Sequence, residues 1–340
     1  MCPVRESPHF WYAPGLLGAL LAPVGWLVAL FTIVRRAAYR YGIRRSRRIG
    51  CPVVVVGNLS VGGTGKTPLV IAIAKLLAGR GVRVGVICRG YRGTGSRWPR
   101  KVLPDSDPGR VGDEAVLLAR RTGVPVAAGP NRVAAGRILF RRSKCDVILS
   151  DDGLQHLRLA RDVEIVVIDA DRRHGSGRCL PAGPLREPLG RLASVDLVVA
   201  NGPAAPGEFE MRLEPGDAVN LADPDLVRPL GAFRGEAVHA VCAIGHQERF
   251  FRTLESRGLT IVRHPFPDHH PFREEEVRFP DNAPVLMTEK DAVKCERFAD
   301  ARHWCVPVDA VLSGALEERL LAIVRGLGVV VDPDTQSSVA

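Results

Sequence analysis

The stretch Ser60-Val61-Gly62-Gly63-Thr64-Gly65-Lys66-Thr67 decides the fold of this chain. It follows an apolar run, 52–56, that predicts a buried β-strand, and it precedes an apolar segment, 68–81, that predicts a helix. Strand, glycine-rich turn, Lys-Thr and helix follow one another in the order of a P-loop. Glycines let the backbone wrap around phosphate oxygens, and the start of the helix adds partial positive charge. These eight residues are therefore predicted to bind a nucleoside triphosphate, with Lys66 on the phosphates and Thr67 on Mg²⁺.

One position departs from the general P-loop pattern, which has a glycine five residues before the glycine of the Gly-Lys pair. Here that position is Ser60. A glycine-rich turn without a phosphate role is the alternative interpretation. The agreement of strand, loop and helix favours nucleotide binding, but it does not identify the reaction, which has to be inferred from the rest of the chain.

The composition is typical of a globular protein with an excess of positive charge. At 340 residues the chain is long enough for one large domain or two of ordinary size. The net charge of +10 suits nucleic acid, anionic lipid or a phosphorylated substrate, and it does not choose among them. None of the eight cysteines forms a C-x-x-C pair, so we expect reduced thiols in a cytosolic compartment and neither a disulfide framework nor a zinc site.

An uncharged segment of twenty residues, Gly15 to Val34, precedes the first strand. As a helix it would be about 30 Å long, the thickness of a bilayer core. It is followed by Arg35, Arg36, Arg40, Arg44, Arg45, Arg47 and Arg48. We therefore predict a short tail, 1–12, and a membrane-anchoring helix, 13–34, with the remainder of the chain in the cytoplasm. A cleaved signal peptide and a buried core helix are the alternatives, and Pro23 leaves open a helix that is only partly inserted.

Two pairs of acidic residues are candidates for the chemistry. Asp113 and Glu114 open a helix, where they are either capping residues or a displayed general base. Asp151 and Asp152 end a hydrophobic strand in the Walker B arrangement, and we predict that they hold Mg²⁺ together with Thr67.

Several polar residues follow these strands and are candidates for binding the substrate. Gln155 and His156 come directly after the Walker B acids, where they either face the same site or have a structural role. Arg132 lies in a helix that Asn131 is expected to cap. Arg186 lies on a loop stiffened by proline and glycine, and it suits neutralisation of phosphate charge unless the loop is only a surface connection.

The second half of the chain predicts a smaller lobe. From about residue 214 turn signals accumulate, and then strand and helix patterns begin again. Within this half, Asp268-His269-His270 is a weak candidate for a metal site and a better one for an acid–base partner that reaches across a cleft. We predict an α/β fold with a P-loop NTPase core of mostly parallel strands, 35–215, a second α/β lobe that covers the substrate, 216–331, and a carboxyl-terminal tail, 332–340.

At this point the motifs, taken together, resemble one family. They are the apolar amino-terminal helix, VGNLSVGGTGKTP, CRGY, GDE, DDGLQH, LPAGPLREP, AIGHQERFF, PDHH and TEKDAVK. Their order is similar to that of the tetraacyldisaccharide 4′-kinases of lipid A biosynthesis, over nearly the whole chain. The P-loop of that family also lacks the first glycine, so Ser60 is no defect. Leu154 stands where the family more often has Phe.

The resemblance implies an ATP-dependent kinase that phosphorylates the 4′-hydroxyl of a tetraacylated glucosamine disaccharide 1-phosphate. The product would be lipid IVA, made on the cytoplasmic face of a Gram-negative inner membrane. The family's catalytic Asp–His pair maps onto Asp113 and His269, with further catalytic roles for Lys66 and Arg186. Substrate-binding roles fall on Arg132, Gln155 and His156. The implied partners are the acylated disaccharide 1-phosphate and an anionic membrane surface, and not nucleic acid.

Two other classes of protein share part of this pattern. A P-loop ATPase that acts as a nucleotide switch for a protein partner is the alternative, but such proteins with the KGGxGKT pattern carry a second lysine where this chain has Val61. A nucleic-acid-binding protein would fit the net charge of +10. However, the arginines crowd beside the apolar segment, and no RNA- or DNA-binding motif occurs.

Overall fold

The structure is a computed structural model that describes residues 8–13 and 15–332. Within these residues the strands are β1 (Val53–Gly57), β2 (Val84–Cys88), β3 (Arg100–Val102), β4 (Val126–Ala128), β5 (Val147–Asp151), β6 (Val163–Asp169), β7 (Leu197–Asn201), β8 (Phe209–Pro215), β9 (Ala218–Asn220), β10 (Val227–Arg228), β11 (Ala237–Cys242), β12 (Thr260–Pro265), β13 (Val285–Thr288), β14 (His303–Val306) and β15 (Val308–Leu312). The helices are α1 (Leu16–Leu20), α2 (Ala22–Arg40), α3 (Lys66–Ala78), α4 (Pro108–Val111), α5 (Asp113–Thr122), α6 (Arg132–Ser143), α7 (Gln247–Ser256), α8 (Glu274–Val277), α9 (Glu289–Cys295) and α10 (Gly314–Gly326).

The larger lobe is built on a nine-stranded sheet in the order β15-β8-β7-β6-β1-β5-β2-β4-β3. Seven neighbouring strands, β8 to β4 in this order, are parallel, and an antiparallel strand closes each edge. Runs of valine and isoleucine are buried along the central strands because helices cover both faces. This confirms the predicted α/β fold with a mostly parallel P-loop sheet.

The two faces of the large sheet have separate cores. Side chains of α3, α5 and α10 pack on one face, and examples are Leu69, Leu118 and Leu320. The other face is covered by α6, and α2 adds Val28 and Ala29 to the same core. The amino-terminal helix α2 therefore lies on the same side of the large sheet as α6.

The smaller lobe has its own six-stranded sheet, in the order β10-β9-β14-β13-β11-β12. Its four strands from β14 to β12 are parallel, and its core includes Phe233, Phe250 and Trp304. The prediction of a second, smaller α/β lobe is confirmed.

The boundary of the small lobe differs from the predicted range, 216–331. The segment WCVPVDA, 304–310, contributes to β14 in the small sheet and to β15 in the large sheet, and Pro307 separates the two strands. Proline has no N–H with which to continue the hydrogen bonds between strands, and at Pro307 the chain passes from the small sheet to the large sheet. Helix α10 then packs against α3 and β8, so residues 308–331 belong to the large lobe. The chain crosses between the two lobes at Gly216 and again at Pro307. The two crossings lie side by side, since the Gly216 N–H donates to the Pro307 carbonyl at 2.9 Å.

The amino-terminal helix also differs in its bounds from the prediction, 13–34. A turn at Leu21 separates α1 from α2, and α2 continues through the first arginines to Arg40. In the described residues, no helix has both the length and the apolar character needed to cross a membrane. Large apolar side chains are nevertheless exposed along α2, including Trp26 at 69%, Leu27 at 66% and Phe31 at 64%. Of the predicted tails, residues 1–7 and 333–340 lie outside the described residues.

Candidate active site

The phosphate-binding loop connects β1, in the centre of the large sheet, to the first residue of α3. Gly65 caps α3 with φ +96°, a conformation that favours glycine. A Cβ on Gly65 would lie 2.8 Å from Met211 Cε and 2.9 Å from Asn201 Nδ2. The Asn201 amide also donates to the Thr64 carbonyl at 3.2 Å. The end of β7 therefore holds the loop against the start of α3.

The start of α3 meets the end of β5, because β1 and β5 are parallel neighbours and their carboxyl ends lie at one edge. Thr67 Oγ1 donates to Asp151 Oδ2 at 2.9 Å, and Lys66 Nζ lies 3.7 Å from Asp152 Oδ1. Burial, together with the negative charge of Glu114, raises the pKa of Asp151 to about 7. Burial would also raise the pKa of Asp152, but Lys66 and Arg186 hold it below its usual value. The two acids therefore differ in proton affinity.

This arrangement fits a magnesium ion. Asp151 Oδ1 is buried and has no hydrogen-bond partner. Carboxylate and hydroxyl oxygens are the ligands that Mg²⁺ prefers, and Thr67, Asp151 and Asp152 supply them. Residues 268–270 offer no comparable set, since His270 Nε2 lies 2.9 Å from Glu276 Oε2 and His269 turns towards the large lobe. Within the described residues, no group of three or more His, Cys, Asp and Glu side chains is arranged to hold a metal.

The loop that carries Arg186 is joined directly to the P-loop. The Arg186 N–H donates to the Leu59 carbonyl at 2.6 Å, and the Val61 N–H donates to the Pro184 carbonyl at 2.8 Å. The guanidinium of Arg186 donates to Asp152 Oδ1 at 3.2 Å. Its charge is therefore held at the Walker B acids by backbone contacts on both sides of Ser60, which itself pairs with Leu185 in an isolated bridge.

Gln155 lies beside Arg186 and is held by a residue that the sequence did not single out. Its Nε2 donates to Glu187 Oε1 at 3.0 Å and to the Asn58 carbonyl at 3.2 Å. Glu187 is buried and is the neighbour of Arg186 in the same loop. Its position directly after Arg186 was the only sequence signal available for it.

Arg132 and His156 each keep a buried nitrogen without a protein partner. Arg132 is 3% exposed and donates to the carbonyls of Gly129 and Asp151, at 3.1 and 3.4 Å, while its Nε has no partner. Burial lowers the pKa of His156 to about 4, with a further contribution from Arg132, and Nε2 of this neutral ring is likewise unpaired. Both residues line the cleft, and the hydrogen-bonding capacity of these two buried nitrogens is not used by any described protein group.

Asp113 and His269 come together although 156 residues separate them. Asp113 is the first residue of α5, and His269 lies in the small lobe after β12. His269 Nδ1 lies 3.1 Å from Asp113 Oδ2, and Asp113 is 6% exposed. Burial would raise the pKa of Asp113, but the hydrogen bond with His269 and the charge of Lys290 lower it to about 2. Asp113 is therefore an ionised acceptor throughout the neutral range.

Other residues join the two lobes around this pair and were not predicted as site residues. Lys290, at the start of α9, places Nζ 3.0 Å from His269 Nε2 and 3.1 Å from Glu114 Oε1. On the far side of the P-loop, Arg249 of α7 lies 3.0 Å from Asp169 at the end of β6. Both basic residues follow buried strands of the small lobe and lie in the motifs TEKDAVK and AIGHQERFF, but the sequence alone does not assign either of them a role.

A cleft of about 2020 Å³ lies between the lobes. The P-loop from Val61 to Thr67, the two Walker B acids and His269 line it. So do the four remaining candidates, Arg132, Gln155, His156 and Arg186. Two predicted residues do not contribute to its lining, Ser60 and Asp113. The cleft thus brings the residues predicted to bind phosphate and metal together with His269, the partner of Asp113.

A parallel sheet with this loop after its central strand, and paired acids at the end of the neighbouring strand, defines a P-loop protein that binds nucleoside triphosphates. The family model described as LpxK, tetraacyldisaccharide-1-P 4′-kinase, matches residues 17–325. The chain belongs to this family of kinases.

Individual relatives agree with the family match. A protein of Alkalilimnicola ehrlichii named tetraacyldisaccharide 4′-kinase is 53% identical over 324 residues, which cover 94% of this chain and 97% of that one. A protein of Nitrosococcus oceani with the same name is 51% identical over 317 residues, 93% of this chain and 94% of that one. The crystal structure of LpxK from Aquifex aeolicus in complex with ATP is similar with a TM-score of 0.78, at 27% identity, over 92% of this chain and 99% of that chain.

Proposed function

We propose that this protein is an ATP-dependent kinase that phosphorylates the 4′-hydroxyl of a tetraacylated glucosamine disaccharide 1-phosphate, giving lipid IVA in lipid A biosynthesis. The observation that carries the proposal is the contact, at 3.1 Å, between Asp113 and His269, a residue that lines the cleft together with the P-loop. A proton acceptor beside a triphosphate site is what transfer to a hydroxyl requires. The names of the related proteins supply the substrate.

In this mechanism the large lobe binds ATP. Backbone N–H groups of residues 60–67 and the start of α3 hold the phosphates, except that the Val61 N–H is already used by the Pro184 carbonyl. Lys66 neutralises phosphate charge. Mg²⁺, held by Thr67, Asp151 and Asp152, supplies further neutralisation of the phosphate oxygens when it is bound. These groups position the γ-phosphate towards the small lobe.

The proton of the sugar hydroxyl passes to Asp113. As the 4′-oxygen bonds to the γ-phosphorus, the bond from that phosphorus to the bridging oxygen of ADP breaks. Asp113 is held in place by His269 and by the Glu114 N–H, which donates to Asp113 Oδ1 at 2.9 Å. Arg186 neutralises charge that develops during transfer. Arg132, Gln155 and His156 bind the substrate, and the position of all three in the lining of the cleft supports that role.

We extend the proposal to the cytoplasmic face of a bacterial inner membrane, where the acyl chains of such a substrate lie. The exposed apolar side chains of α1 and α2 suit the acyl region, and the arginines from Arg35 to Arg48 suit anionic headgroups. The alternative, a nucleotide switch for a protein partner, is not carried further, because the relatives are named kinases and Asp113–His269 has no part in such a switch.

Transfer of radiolabelled phosphate from ATP to the lipid disaccharide, with the full chain in detergent micelles, tests the function. We expect transfer by the wild type. Lys66→Ala, Asp113→Ala and His269→Ala should each lower kcat by at least about 100-fold, because each removes charge neutralisation or the proton acceptor.

Lys75→Ala is the matched control, since Lys75 is a half-exposed lysine on the same helix as Lys66 and should leave kcat unchanged. A near-normal kcat for Asp113→Ala would remove Asp113 as the base. ATP turnover that needs a protein partner and ignores the lipid would favour the nucleotide switch.

A further inference from the structure

The ammonium group of Lys290 has three acceptors within reach, one for each of its N–H bonds. Nζ lies 3.0 Å from His269 Nε2, 3.1 Å from Glu114 Oε1 and 3.4 Å from Asp268 Oδ1. A charged lysine donates and cannot accept. His269 Nε2 must therefore be an acceptor, so this nitrogen carries no proton.

The other ring nitrogen then carries the only proton of a neutral imidazole. His269 Nδ1, at 3.1 Å from Asp113 Oδ2, is consequently the donor in the Asp113–His269 contact. Lys290 itself stays charged. Burial would lower its pKa, but the negative charges of Glu114, Asp268 and Asp113 raise it well above its usual value.

We propose that Lys290 is a positioning residue that holds His269 as the neutral tautomer protonated at Nδ1, and thereby leaves Asp113 as the only member of the pair that accepts the substrate proton. This inference rests on the proposed function, in which Asp113 is the base. It adds that Asp113 and His269 have different roles. Nε2 of His269 accepts from Lys290 and is therefore not free to accept the substrate proton.

The arrangement exists only when the two lobes are in contact. Lys290 and His269 belong to the small lobe, while Asp113 and Glu114 open α5 in the large lobe. The small lobe therefore supplies the groups that orient Asp113. Opening of the cleft would move both the His269 imidazole and the Lys290 ammonium away from Asp113.

The first test is a measurement of the tautomer. The full chain, labelled with ¹⁵N-histidine and held in detergent micelles, is examined by long-range ¹H–¹⁵N correlation, and the signal of His269 is assigned by its loss in His269→Gln. We expect a protonated Nδ1 and a bare Nε2 at neutral pH. A ring protonated at Nε2 would overturn the proposal, whether or not the protein transfers phosphate.

The second test is the pH profile of kcat for Lys290→Met. Without the ammonium, carboxylates still surround Nε2 and no cation opposes a proton there. An imidazolium would stabilise the charge of the Asp113 carboxylate and make it a weaker proton acceptor. The acid limb of kcat should therefore move to higher pH, by at least about one unit. The groups that face His269 are Asp113, Glu114, Asp268, Lys290, Arg92 and the ring of Tyr91.

Lys290→Arg is the rescue variant, because it keeps a cation that donates, and it should retain the acid limb of the wild type. Lys75→Met, which removes the same charge from an exposed position, should leave the limb unmoved. If Lys290→Met lowers the melting temperature or kcat and keeps the wild-type limb, Lys290 is only structural and the proposal is overturned. Failure of the wild type to transfer phosphate would instead count against the proposed function.

Discussion

The Thr67 side chain lies beside an acidic residue, Asp151, in an arrangement that suits a metal ion. Its hydroxyl donates to Asp151 Oδ2 at 2.9 Å, while the other oxygen of Asp151 is buried without a partner. An unpaired buried carboxylate oxygen is costly, and the burial that raises the pKa of Asp151 to about 7 reflects that cost. A cation at this position would satisfy both residues.

Thr67→Ala should therefore raise the Mg²⁺ concentration needed for half-maximal kinase activity by at least about tenfold, the scale seen when a group that supports a metal is removed. The measurement is the initial rate of phosphate transfer over a Mg²⁺ titration at saturating ATP. Thr67→Ser keeps the hydroxyl and should behave like the wild type. An unchanged Mg²⁺ requirement for Thr67→Ala would exclude Thr67 from the metal site.

The roles of single residues could be predicted where a strand and loop next to them form a known motif. They could not be predicted where the role depends on contact between the two lobes. Lys66, Thr67 and Asp151 are fixed by motifs in which a strand runs directly into the functional residue. Lys290 lies in the motif TEKDAVK, but that motif does not show which residues Lys290 contacts. Its role depends on Asp113 and His269, which approach it from another helix and another loop. The assigned roles in the site stay predictions until the variants are measured.

Helix α2, like the short helix α1, differs from the other described helices because its apolar residues are mostly exposed. Only Ala22 and Gly25 are buried within it. A Cβ on Gly25 would lie 2.8 Å from the Cys179 carbonyl, so the helix approaches residues 179–182 closely on one side. Elsewhere on the helix Trp26, Leu27 and Phe31 are exposed, and no element within residues 8–13 and 15–332 covers them. An exposed apolar surface of this kind is typical of a protein or membrane contact.

Leu27→Glu combined with Phe31→Glu should reduce binding of the full chain to vesicles of anionic phospholipid by at least about 100-fold. Burial of each side chain contributes about 1.5–3 kcal/mol, and a buried carboxylate adds a penalty. Co-sedimentation with vesicles at several salt concentrations is the measurement.

Leu226→Glu combined with Val227→Glu, at exposed apolar positions of the small lobe, is the control and should bind like the wild type. If the α2 variant binds with wild-type affinity, another surface makes the membrane contact.

The bounds of elements were predicted less well than their existence. The uncharged segment ends at Val34, but α2 runs on to Arg40, because the arginines and alanines that follow are also good helix formers. The apolar run around Pro307 contains two strands in different sheets, and Pro307 separates them. A short apolar run shows that a strand is present, but it does not show which sheet the strand joins.

The two lobes contact each other at the P-loop, through backbone atoms and through an ion pair. A Cβ on Gly245 of the small lobe would lie 3.1 Å from the Gly63 nitrogen and 3.5 Å from Gly62 Cα. Arg249 and Asp169 form an ion pair close by, at 3.0 Å. The lobes are thus in van der Waals contact at the loop that binds phosphate.

Gly245→Val should hold the lobes apart and lower kcat by at least about tenfold, because a displacement near 1 Å of catalytic groups is costly. Phosphate transfer to the lipid is measured together with the radius of gyration by X-ray scattering, which should increase. Gly326→Val, where a Cβ meets nothing within 4 Å, is the control. A wild-type kcat in Gly245→Val would mean that the small lobe tolerates displacement at this contact.

The crossing at Gly216 and Pro307 has a consequence for how the protein is made. Strand β15 and helix α10 complete the large lobe, yet they leave the ribosome after every residue of the small lobe. Apolar side chains of α3 that pack with Leu316 and Leu320 of α10 therefore stay uncovered while the small lobe, residues 216–307, is synthesised, which takes about 5–20 s at ordinary translation rates. The small lobe, with its own sheet and core, is free to fold during that interval. The nucleotide-binding half, although it begins first, is the half that is finished last.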